Sequence, residues 1–146
     1  MIGKIQAAQG CYDNGVFSFP VRIYYEDTDA GGIVYYANYL KFAERARSEF
    51  LRFLGIDQQK DLEENGSGFV VRSCHIEYLQ SAVLNDDLTV TCRIADLGAV
   101  RAVIHQKIMR GDAVLAELEV KVVYMNVRTH RPTRIPQMMV DKLTSV

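Results

Sequence analysis

From residue 16 the chain alternates. Phe17, Phe19, Val21, Ile23 and Tyr25 share one parity, which predicts a β-strand over residues 16–25. Pro20 falls on the other parity and cannot donate a ladder hydrogen bond, so this strand is expected at an edge or a bulge. The period then changes. Tyr39, Phe42, Ala43, Ala46, Phe50, Phe53 and Leu54 recur at steps of three and four, an apolar stripe that predicts a helix over residues 38–54. Lys41, Glu44, Arg45, Arg47, Glu49 and Arg52 fill the other face, with Glu44–Arg47 and Arg45–Glu49 at helical neighbour distances. Asn38 is the predicted N-cap, and Gly55 ends the helix.

A shorter helix is predicted over residues 57–64, stopping at Asn65-Gly66. Four strands follow, over residues 69–78, 88–94, 100–109 and 113–124, separated by Asn85-Asp-Asp, Gly98 and Gly111-Asp112. The short connections between the last three favour antiparallel neighbours. Residues 132–137 read as an extended tail, and residues 138–143 as a last helical turn. Strand, long helix and antiparallel meander define an α+β fold whose sheet wraps around one long central helix. Such a sheet keeps an outer face and an edge strand, so a homodimer is the economical way to cover the remainder. Residues 1–15 are expected to be irregular and residues 16–146 to form the one domain.

Composition narrows the classes. With 146 residues, 49% hydrophobic and 24% charged, the chain suits one globular domain. A net charge of −1 gives no basic excess for nucleic acid. No window approaches the roughly 18 apolar residues of a membrane span, and no signal peptide is readable. Cys11, Cys74 and Cys92 are odd in number and lack metal-ligand or disulfide spacing. Cys74 and Cys92 fall in strands and are expected to be buried, reduced thiols, which points to a cytoplasmic protein. His75, His105 and His130 are too scattered for a metal site, so none is expected.

The segment Tyr25-Glu-Asp-Thr-Asp-Ala-Gly-Gly-Ile-Val-Tyr carries the candidate chemistry. Its acids, Asp27 and Asp29, lead through Gly31-Gly32 into the long helix, which sets a carboxylate beside a positive dipole end. That arrangement suits attack on a carbonyl whose oxygen becomes negative. Calcium is excluded, because Ala30-Gly31 and Asn38 stand where an EF-hand loop needs oxygen ligands and a glutamate. On spacing alone, the acids serve equally as turn or capping residues.

The same segment, with Ala37-Asn-Tyr and Glu44-Arg-Ala-Arg-Ser-Glu-Phe-Leu after it, resembles the signature of the 4-hydroxybenzoyl-CoA thioesterase-type acyl-CoA thioesterases. Within these it is most similar to the Tol-Pal-associated branch. Ile76-Glu-Tyr-Leu, Asn85-Asp-Asp-Leu-Thr-Val and Arg131-Pro-Thr-Arg-Ile-Pro extend the likeness over residues 16–137.

The resemblance implies the hot-dog fold, in dimers that often pair into tetramers, and hydrolysis of an acyl-CoA thioester to free acid and CoA without a cofactor. It implies that Asp29 is the catalytic carboxylate, attacking the thioester carbonyl or activating water. It further implies that the Tyr36 N–H polarises that carbonyl, a contribution of roughly 2.7–4 kcal/mol in acyl transfer. The Tol-Pal branch usually has histidine at Tyr36, whereas the aromatic 4-hydroxybenzoyl branch has tyrosine. Glu44 matches a carboxylate that faces the acyl group in that aromatic branch; on its own spacing it pairs with Arg47 instead.

Gly32, which allows close approach of the chain, and Val34 beside it are candidate substrate contacts. Arg101, after the Gly98 turn, is the leading candidate for the CoA phosphates, ahead of Arg72 and Arg128. A second functional class stays open: a non-hydrolytic acyl-thioester binder or scaffold that docks on acyl carrier protein. A hot-dog dehydratase ranks last, since the motif holds no histidine.

Overall fold

A computed structural model describes residue 3 and residues 5–145. β1 (Cys11–Asp13) and β2 (Val16–Arg22) open the chain, and a 3-10 turn spans Tyr25–Asp27. Next come α1 (Asn38–Phe53), α2 (Gln58–Asn65), β3 (Ser67–Tyr78), β4 (Asp87–Leu97), β5 (Arg101–Arg110), β6 (Ala113–Asn126), β7 (Arg131–Pro132) and α3 (Gln137–Thr144). The strands form an antiparallel sheet in the order β1-β2-β4-β5-β6-β3, with β7 also on β6. The sheet curls around α1 in the hot-dog arrangement.

α1 buries Tyr39, Phe42, Ala43, Ala46 and Phe50, the stripe expected from its period. These residues meet Phe17, Phe19, Val21 and Ile23 from β2 and its extension, and Val90 and Cys92 from β4. Burial of side chains this size is worth about 1.5–3 kcal/mol each, which makes this interface the main source of stability. α1 therefore sits over β2, β4 and β5, the inward residues Leu118, Val120 and Val122 of β6 join its core, and the edge strand β3 is left mostly exposed.

β3 is an edge strand with one irregularity. Its register to β6 runs Phe69↔Tyr124 and Val71↔Val122, skips Arg72, and resumes at Ser73↔Lys121 and Cys74↔Val120. This bulge keeps Phe69, Val71, Cys74, Ile76 and Tyr78 on the α1 side although their numbering changes parity.

Several expectations need correction. The segment expected to be irregular over residues 1–15 contains β1, because Asn14 and Gly15 at φ 49° and 78° make a tight hairpin back to β2. Tyr25 does not extend the strand; it enters the 3-10 turn and is 83% exposed. Ala37, not Asn38, is the α1 N-cap, since the Asn38 side chain is used elsewhere. Cys74 is exposed because nothing covers the end of the concave face where it sits.

Cys92 is buried as expected. Burial raises its thiol pKa to about 12, against the opposing influence of Arg47 and a hydrogen bond from Gln106. Cys92 is therefore expected to resist thiol reagents until the chain unfolds. Labelling of Cys92 in the native protein as fast as Cys11 would contradict this placement.

Candidate active site

The turn that follows β2 is built by short-range hydrogen bonds. Asp27 accepts from the Tyr24 N–H at 2.8 Å, and the Thr28 hydroxyl donates to the Tyr25 carbonyl at 2.8 Å. The Asp29 N–H donates to Ile33 O at 2.9 Å, and the Gly32 N–H returns to Asp29 O at 3.0 Å. Gly32 stands at φ 80°, a conformation an L side chain resists, so its glycine is a backbone requirement. Val34 donates from its N–H to Ala82 O at 2.9 Å, which pins the turn to the β3–β4 connection.

Within this frame the Asp29 side chain is exposed, with Oδ1 accepting from the Gly31 N–H at 2.8 Å. Among the described residues its carboxylate has no cationic partner and no further hydrogen bond. One oxygen is oriented; the other remains available.

The same turn is fastened to the start of α1. The Asp27 carbonyl accepts from the Tyr35 N–H and from Asn38 Nδ2, each at 2.9 Å. The Tyr36 carbonyl accepts from the Tyr78 hydroxyl at 2.9 Å. Its own N–H has no acceptor among the described residues, as expected of a donor preceding a helix. Asp27 thus orients the loop. Tyr78, which sequence reasoning did not single out, fixes the Tyr36 peptide; its only signal was the Ile76-Glu-Tyr-Leu motif.

The remaining candidates are placed differently. Val34 is 2% exposed and belongs to the core, so it offers no surface to a substrate in one chain. Arg101 starts β5 beside the Gly98 turn and is exposed. The acid turn adjoins the Arg22↔Asp87 end of the sheet, whereas Arg101 adjoins the Leu97↔Ala102 end. At about 3.3 Å per residue, β4 separates those ends by about 30 Å, so one chain does not bring Arg101 to Asp29. Arg128 lies near Gly66 at the start of β3, and Arg72 is exposed on the bulge.

Glu44 is exposed and makes no ion pair with Arg47. His75 and His105 lie on the outer face, bonded to Glu77 and to Arg93 and Glu119. Among the described residues no three His, Cys, Asp or Glu side chains gather as a metal site, and no helix is long and apolar enough to cross a membrane.

The turn and its surroundings expose Ile33, Tyr35, Tyr36, Leu40, Tyr78, Leu79, Val83 and Leu84. The rings of Tyr35, Tyr36 and Tyr78 pack in sequence, with centroids 5.0 and 6.1 Å apart, and an exposed apolar patch of this kind is typical of interaction sites. A sheet curled on one long helix is the hot-dog fold shared by thioesterases.

Comparison with known proteins agrees. Residues 23–143 match the Thioesterase-like superfamily, and the chain belongs to it. The acyl-CoA thioesterase YbgC of Haemophilus influenzae is 45% identical over 125 residues, 86% of this chain and 91% of that protein. The acyl-CoA thioester hydrolase YbgC of Escherichia coli is 40% identical over 126 residues, 86% of this chain and 93% of its own. The crystal structure of a probable thioesterase from Bartonella henselae superposes with a TM-score of 0.78 at 36% identity, covering 82% of this chain and 98% of that one.

Proposed function

We propose that the protein hydrolyses acyl-CoA thioesters to free acid and CoA, with Asp29 as nucleophile or general base and the Tyr36 N–H as the donor to the thioester oxygen. The observation that carries this reading is an oriented, uncompensated Asp29 carboxylate and an unpaired Tyr36 N–H in one segment, which the Asp27 carbonyl ties together by accepting from the Tyr35 N–H and Asn38 Nδ2. As base, Asp29 takes a proton from water as the oxygen attacks the carbonyl. As nucleophile, it forms an anhydride that water then opens. In both routes the sulfur leaves as thiolate and the collapsing oxyanion is held by the Tyr36 N–H.

A second copy of the chain completes the site in this reading. It covers the apolar surface around the turn and, by running antiparallel to the first, brings its own Arg101 from the far end of the sheet toward the CoA phosphates. The likeness of the loop and helix motif supports reading the chain as a member of the Tol-Pal-associated branch, and CoA as substrate supports a cytoplasmic site of action. The test is release of free thiol from a panel of aliphatic and aromatic acyl-CoA and acyl-carrier-protein thioesters. Turnover supports the reading; saturable acyl-CoA binding with no thiol release from any member replaces it with the binding-protein alternative.

A further inference from the structure

A stripe of residues leads away from the candidate centre. Just past Tyr36, residues Leu40, Glu44, Arg47 and Leu51 follow one another at steps of three and four along α1. Beyond Leu40 this stripe walls a cavity of about 350 Å³, with Glu44, Arg47 and Ser48 on the helix side. Val70 and Val71 of β3 and Ile104 of β5 are among its apolar walls. At the other end of β3, Tyr78 bonds to the Tyr36 peptide. α1 and the edge strand β3 thus flank both places, the Tyr36 peptide at one end of the strand and the cavity holding Arg47 at the other.

Arg47 brings a positive charge to a lining that is apolar apart from Glu44, Ser48 and Gln58. It is half-buried, and burial depresses its pKa, although a guanidinium stays charged at neutral pH. Among the described residues no carboxylate lies within ion-pair distance of it. Among the described residues its one side-chain hydrogen bond is from Nη1 to Gln106 Oε1 at 2.9 Å. Gln106 is 1% exposed and donates through Nε2 to Ala43 O at 3.0 Å and to Cys92 Sγ at 3.1 Å. The amide cannot turn away without losing these bonds, so it holds the guanidinium in place. Glu44, one turn away on the same wall, offsets part of the cost of burying this charge without bonding to it, and the guanidinium's remaining donors favour an anion brought by a ligand.

We propose that the acyl part of the thioester lies between α1 and β3, from the Tyr36 peptide into the cavity, and that Arg47 binds an anionic group at its far end, so that the preferred substrates carry a terminal carboxylate. This rests on Asp29 and Tyr36 being the hydrolytic centre. The nine helical steps from Asn38 to Arg47 cover about 14 Å, and helical side chains lean toward the N-terminus, which fits an acyl chain of medium length.

The experiment compares adipyl-, suberyl- and sebacyl-CoA with the monocarboxylic acyl-CoA of equal carbon number. The intact protein is expected to favour the carboxylate-ended member by about tenfold or more in kcat/KM for at least one pair, the effect of one charge-assisted hydrogen bond. Arg47→Met, which keeps the apolar stem, is expected to bring that ratio close to unity, and Arg47→Lys to retain part of it. Free suberate against octanoate in thermal unfolding gives a readout that needs no catalysis: suberate raises Tm of the parent and not of Arg47→Met. Equal kcat/KM within every pair, or a preference that survives in Arg47→Met, overturns the proposal. Should no thioester be cleaved, the hydrolytic reading fails alone if suberate protects selectively, and both fail if it does not.

Discussion

Asp29→Asn is expected to lower thiol release from acyl-CoA by about 10²–10⁴-fold, the usual contribution of a positioned acid–base group. The substitution changes charge and basicity and little else. Asparagine Oδ1 can still accept the Gly31 N–H, so the turn keeps its bond. The side chain is exposed, and stability is expected to change by no more than about 0.5 kcal/mol. A chromogenic thiol assay and a thermal melt on the same preparation separate chemistry from folding. Activity retained near the parent level in a variant with unchanged Tm removes Asp29 from the mechanism.

Gln106→Leu is expected to cost about 2–4 kcal/mol of stability, because it strands groups that are out of water. Arg47 loses its acceptor, the Ala43 carbonyl and Cys92 sulfur lose a donor, and leucine offers nothing in return. For a chain of this length the Tm falls by roughly 5–15 °C. The double variant Gln106→Leu/Arg47→Met is expected to lose less than the sum of its parts, since the second change removes the stranded charge. Strictly additive losses would show that the two side chains are energetically independent.

The sequence made α1 legible because its apolar stripe is set by the helical period alone, without knowledge of what the stripe would touch. The meander was legible for a similar reason: Asn85 and Gly111 punctuate it with positive φ values of 71° and 59°. β1 escaped notice because three residues are too few to show alternation, although Asn14-Gly15 is a recognisable hairpin signal. Tyr25 was assigned to the wrong element because parity does not say where a strand stops. The acid turn could be located, but not its fastening through the Asp27 carbonyl, which depends on a backbone oxygen rather than a side-chain type. Arg101 stands beside a turn as read, yet sequence does not say which end of a sheet a turn occupies. The Arg47–Gln106 bond spans 59 positions and leaves no local trace.

The extra residue in β3 has a consequence for the pattern itself. Arg72 acts as a phase shift: before it odd positions turn toward the helix, and after it even ones do. Without that slip, one half of the strand would be inverted. Either Val71 would trade places with a charged neighbour, or His75 and Glu77 would take over the side now given to Cys74, Ile76 and Tyr78, and the hydroxyl that steadies the Tyr36 peptide would point the wrong way. A lone unpaired amino acid thus lets two incompatible alternations share a continuous ribbon, and the geometry at the mouth of α1 depends on it.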